Sequence, residues 1–245
     1  MAVNKNSTSY TITFAVILVV ICGGWLAFLA SSLKEQQTAN VENEKRQYIL
    51  SAAGAYDIAA LKGMAQAEVK EIFEASVKSK VLDVNGKVLE GVDAFGINIV
   101  KEYKATIGQE NIRKYPLFTY TKEGVSKYVI PMAGNGLWGP VWGFIAIGSD
   151  KNTIADVVFD HKSETPGLGA KITETSFTSL FTNSPKHIVT KNGTYKGVKV
   201  VKGGVKNPEH EINAIAGATI TSKGVGKMLE GGFKPYALAW DLIKK

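Results

Sequence analysis

From Asn6 to Leu33 the chain carries no charged side chain, and from Tyr10 onward the run is almost wholly apolar. As a helix rising 1.5 Å per residue, residues 10–33 cover a hydrocarbon core about 30 Å thick. The spacing therefore predicts a transmembrane helix, with a short tail of residues 1–9 before it. Ala30-Ser31-Ser32 resembles a small-residue cleavage site, which leaves a signal peptide as the rival reading. The apolar region exceeds the roughly 7–15 residues of such a peptide, so a retained anchor is expected. Lys5 lies on one side of the run and Lys34, Glu35, Lys45 and Arg46 on the other, which leaves the charge rule nearly silent on orientation.

Cys22, inside the apolar run, is the one cysteine. Internal disulfides, thiolate zinc sites and an iron–sulfur cluster held by this chain alone are thereby excluded. The net charge of +7 is spread along the sequence, with no basic cluster interleaved with aromatics, so no nucleic-acid partner is expected. At 45% hydrophobic residues the remainder can bury a core.

Residues 34–60 are polar with sparse apolar positions (Val41, Tyr48, Ile49, Leu50) and read as a helical stalk; residues 61–245 read as one exported domain. Val69, Ile72, Phe73 and Val77 mark an amphipathic helix, and Val81–Leu89 a hairpin around Asn85-Gly86. Strands are predicted at residues 117–120, 127–130, 142–147, 155–159, 187–190 and 198–201. Residues 222–242 are helical in composition, broken at Gly231-Gly232 and Pro235 into two pieces. The expected class is α+β with a mainly antiparallel sheet.

Three segments invite chemistry. In Gly217-Ala218-Thr219-Ile220-Thr221-Ser222, small residues let a ligand approach the backbone, and the hydroxyls stand where a helix begins, a place suited to phosphate. A simply capped helix is the plainer alternative. In His161-Lys162-Ser163-Glu164-Thr165-Pro166-Gly167-Leu168-Gly169, Pro and Gly specify a tight turn. His161 and Glu164 lack the further ligands a metal needs, so no metal site is expected. In Gly136-Leu137-Trp138-Gly139-Pro140-Val141-Trp142, Trp138 is placed to stack on a flat ring, and Trp142 reads equally as a core residue.

The Gly-Ala-Thr stretch resembles the flavinylation motif of the FMN-binding domain family, Asp-x-x-Ser/Thr-Gly-Ala-Thr. Gly217, Ala218 and Thr219 match, whereas Asn213 and Ala216 stand at the Asp and Ser/Thr positions. The anchor, Gly-Leu-Trp-Gly-Pro, His-x-x-Glu-Thr-Pro-Gly-Leu-Gly and Gly-Ala-Thr-Ile-Thr-Ser together resemble the C-subunit family of Na+-translocating NADH:quinone reductases. The Rnf electron-transfer complex has a related subunit of similar layout.

The resemblance implies FMN esterified through its phosphate to Thr219 by a flavin transferase, with Gly217, Ala218, Thr221 and Ser222 around the phosphate. It places Thr165, Leu168, Gly169, Glu164 and Trp138 near the ring. It implies an oxidoreductase subunit with no catalytic residue of its own, relaying electrons toward ubiquinone coupled to Na+ export. The implied partners are the A, B, D, E and F subunits, especially the iron–sulfur membrane subunits and the FMN-bearing B subunit. The implied location is the inner membrane, N-terminus cytoplasmic and domain periplasmic. A free-standing anchored flavoprotein and a flavin-free scaffold are the other readings.

Overall fold

The structure, a computed structural model, describes residues 7–243. Residues up to Lys45 and residues from Arg46 onward form two compact units. In the first, α1 (Thr8–Ser32) is capped by Ser7, whose hydroxyl oxygen accepts from the Tyr10 N–H at 3.2 Å. None of its residues is buried, and at 25 residues it is long and apolar enough to cross a membrane. The expected tail of residues 1–9 lies largely outside the described residues. A second helix, α2 (Lys34–Ala52), follows and its last turns belong to the second unit. There Ile49, Leu50 and Ala52 are fully buried, and the Gln47 amide donates to the Leu61 carbonyl at 2.9 Å.

The second unit continues with α3 (Ile58–Gly63), α4 (Gln66–Ser76), β1 (Val77–Leu82), α5 (Ile99–Ala105), β2 (Tyr115–Lys122), β3 (Val125–Asn135), β4 (Pro140–Ile147) and β5 (Ile154–His161). These five strands pair antiparallel in sequence order. Then come α6 (Thr175–Thr178), the short parallel pair β6 (Lys199–Val201) and β7 (Glu211–Asn213), α7 (Thr219–Gly232) and α8 (Lys234–Ala239). The class is α+β with a mainly antiparallel sheet, as the sequence predicts.

Both faces of the sheet are covered, and the two-residue period of a strand sorts its side chains between them. Leu117, Ile130, Ile145 and Val157 meet α7, α8 and the Phe177/Phe181 pair on one side. Their neighbours Phe118, Val129, Phe144 and Ala146 meet Ile49, Leu61, Val69 and Phe73 on the other. The fully buried Tyr236 ties α8 to β2 by donating to the Pro116 carbonyl at 2.8 Å.

Several local expectations change in the structure. Val77 leaves the helical stripe to open β1, opposite Tyr120. The 81–89 hairpin is reduced to one bridge, Leu82–Val88, around a tight turn in which the Asp83 carbonyl accepts from the Gly86 N–H and the Asp83 carboxylate accepts from the Asn85 and Lys87 N–H groups. Residues 187–190 form isolated bridges rather than a strand. The Asn152 side chain takes the place of a partner strand there, accepting from the Val189 N–H at 2.8 Å and donating to its carbonyl at 3.0 Å. The C-terminal helix begins at Thr219, three residues before its sequence-predicted start, and does break into two pieces.

Contact between α7 and β3 sets the position of the site. Gly224 lies so close to the Asn135 carbonyl that a Cβ there would overlap the oxygen. Gly224→Ala is accordingly expected to lower stability by about 1–3 kcal/mol through overpacking, seen as an earlier midpoint in thermal unfolding of the purified chain.

Candidate functional site

Three chain segments converge on the carboxylate of Glu164, a side chain only 4% exposed. One of its oxygens accepts from the Trp138 N–H in the β3–β4 loop at 2.9 Å. The other accepts from the Thr221 hydroxyl in the first turn of α7 at 2.5 Å. Gly136 and Gly169 flank the carboxylate, and a Cβ at either would collide with it. The Glu164 N–H in turn donates to His161 Nδ1 at 3.1 Å. His161 therefore steadies the turn, and among the described residues no cluster suited to a metal ion occurs. Buried carboxylates need such partners, because an unpaired one loses its hydration without replacement.

The approach to α7 is a closed turn. The Ala218 N–H donates to the Ile215 carbonyl at 3.1 Å, and Gly217, third of the four residues, has φ +77°. That left-handed value suits glycine, which accounts for the Gly before Ala-Thr. The Ser222 hydroxyl is completely buried and accepts from the Ile215 N–H at 3.0 Å, so it holds the turn to the helix.

Thr219 is the first helical residue, half-buried, and Ala218 at the cap position provides no side-chain hydrogen bond. The first intrahelical bond comes from the Ser222 N–H to the Ala218 carbonyl. The N–H groups of Thr219, Ile220 and Thr221 thus stand at the positive end of a 14-residue helix without a side-chain cap. Such an end accommodates a phosphate.

Around it, Leu168 is exposed with its Cδ2 about 3.0 Å from where a Gly217 Cβ would lie. Trp138 is 67% exposed, and Thr165 is exposed while its carbonyl accepts from the Leu168 and Ala170 N–H groups. Of the residues picked out in the sequence, Trp138, Glu164, Gly169 and Thr221 are joined through one carboxylate. Leu168 and Gly217 adjoin each other, and Thr219 and Ala218 occupy the helix end. Trp142 lies at the edge of the core. Sequence reasoning passed over Leu137 and Ile220, two exposed apolar side chains on the same segments. Their signal was an apolar residue beside each glycine- or threonine-rich motif.

The elements gathered here fall in the stretch, residues 136–233, that matches the FMN-binding domain family. Over nearly its whole length the chain is similar to the C subunit of the Na(+)-translocating NADH-quinone reductase of Haemophilus ducreyi, at 30% identity across 95% of this chain and 94% of that one. It is likewise 30% identical to the same subunit from Pseudomonas aeruginosa, over 92% of this chain and 91% of the relative. The crystal structure of the corresponding subunit from Parabacteroides distasonis superposes with a TM-score of 0.72 at 35% identity, covering 87% of this chain and 98% of that one.

Proposed function

The chain belongs to the C-subunit family of Na+-translocating NADH-quinone reductases, and from that premise we propose that it carries FMN as a phosphoester on Thr219. The membership makes it a membrane-anchored, FMN-binding component of a multi-subunit oxidoreductase. The observation that carries the finer reading is the start of α7 at Thr219, which no Ala218 side-chain bond caps, with the Thr221 and Ser222 hydroxyls already engaged.

Attachment balances as a transfer from FAD by a flavin transferase. The bond between the Thr219 oxygen and the FMN phosphorus forms, the pyrophosphate bond breaks, AMP leaves, and the hydroxyl proton is released. The phosphodiester so made retains a negative charge, which the helix end stabilises by about 0.3–1 kcal/mol. Ala218 and Gly217 keep bulk away from it. Leu168, Trp138 and Thr165 would receive the ring, with Glu164 and Gly169 supporting their loops. Bound there, FMN supplies the one-electron chemistry, while the protein sets its surroundings. A covalent tether keeps the cofactor at a water-facing edge where noncovalent binding allows escape.

The electron path proposed for the chain runs from iron–sulfur membrane subunits through this domain to the FMN-bearing B subunit, then toward ubiquinone, with Na+ export. The A, D, E and F subunits complete the assembly. Residues 1–9 form a cytoplasmic tail, 10–33 the span of the inner membrane, 34–60 the stalk and 61–245 the periplasmic domain, with the stalk from Arg46 onward packed into the same compact unit as the domain.

Two measurements test this reading. Peptide mapping of the chain co-expressed with a flavin transferase should find FMN on the peptide containing Thr219, and an unmodified peptide would overturn the attachment. Protease added to intact spheroplasts should remove the domain but spare cytoplasmic controls, whereas protection until lysis would reverse the orientation.

A further inference from the structure

The exposed face of α7 walls a second feature, a cleft of about 880 Å³ between α5, β3, α7 and α8. Ile99, Pro131 and Met132 contribute to its apolar lining, and its charged lining is Arg113, Lys223, Lys227 and Lys234 with one acidic residue, Glu110. Lys223, Lys227 and Lys234 are exposed, and among the described residues none has an ion-pair partner. Lys223 and Lys227 are also one helical turn apart, where like charges repel. Arg113, by contrast, is held by Glu110 at 3.6 Å and by Thr106 at 2.7 Å, and it shapes the wall.

A surface lysine is ordinarily just solvated. Three unpaired ones around an apolar concavity are different, because the recess accepts an anchoring side chain while the rim selects for negative charge. We propose that this cleft receives an acidic segment bearing an apolar side chain, supplied by another subunit of the same complex. A lipid surface fits less well, since a flat bilayer cannot fill a recess floored by buried Met132. The wall includes Ile220, next in sequence to Thr219, so the docked subunit would lie beside the residue assigned to the flavin. That last point rests on the flavin assignment; the docking itself does not.

The test uses the assembled complex in native membranes, treated with a zero-length carbodiimide that joins amines to carboxylates. Cross-links from Lys223, Lys227 or Lys234 to an Asp or Glu of another subunit are expected. The K223E/K227E double variant should co-purify with the complex on the order of tenfold less, as reversed charge at a complementary interface predicts. Its thermal midpoint as a full-length chain in detergent should match the unsubstituted chain, which separates lost docking from lost folding. Cross-links only to a second copy of this chain, or full co-purification of the variant without cross-links to other subunits, would overturn the proposal. Peptide mapping of the same samples reports flavin on Thr219 separately, so failure of either assignment is visible without the other.

Discussion

Thr219→Val is expected to yield a folded chain with no covalent flavin. Valine matches threonine in shape and branching, and replaces only the hydroxyl that the proposed ester requires. Thr219 is the first residue of α7 and half-buried, and its hydroxyl bonds to no other side chain among the described residues. The change should therefore cost within about 0.5 kcal/mol of stability. Intact mass should show no added FMN and in-gel fluorescence should drop to background, and Thr219→Ser should restore both because it retains a hydroxyl. Thr221 is a poor substitute acceptor: it is 1% exposed and its hydroxyl is committed to Glu164. Flavin persisting on the Val variant would move the attachment elsewhere and refute the assignment.

Glu164→Ala is expected to damage both stability and flavin attachment. It removes the buried acceptor shared by the Trp138 N–H and the Thr221 hydroxyl. Each donor left without a partner costs about 1–3 kcal/mol, so a total near 3 kcal/mol is reasonable. For a domain of this size that corresponds to a midpoint lower by roughly 6–12 °C. The loop bearing Trp138 and the start of α7 would also lose their common tie, and less flavin should be attached per chain.

Glu164→Gln separates geometry from charge. Its amide oxygen can accept from Trp138 while its NH2 donates to the Thr221 oxygen. That variant should stay within about 1 kcal/mol of the original and retain most of its flavin. If the Ala variant melted with the unsubstituted chain, Glu164 would not be what joins the segments.

Much of this was legible in the residues alone. The uncharged stretch to Leu33 required a long apolar helix. The runs around 117, 130, 145 and 157 required strands, and α7 with its break before α8 followed from composition. These are local properties: side-chain periodicity, helix-breaking residues and turn preference act over a few positions, so the chain displays them directly. The order of the glycine-rich motifs likewise pointed to the family.

Which hydroxyl is free could not be read that way. By residue type alone Thr219, Thr221 and Ser222 are alike, and only the motif marks Thr219; the structure adds that Thr221 is committed to Glu164 and Ser222 to Ile215, while Thr219 stands at the helix end. Glu164 is expected near the ring by resemblance, but its role in joining segments appears only when Thr221, 57 positions away, is placed on it. Asn152 gave no sign of standing in for a strand beside Val189, 37 positions later. The basic cleft assembles residues from α5 to α8 that no short window contains. Local pattern determines what each segment becomes, whereas hydrogen-bond partners and burial belong to residues brought together across the chain, and those are decided only when the sheet and helices pack.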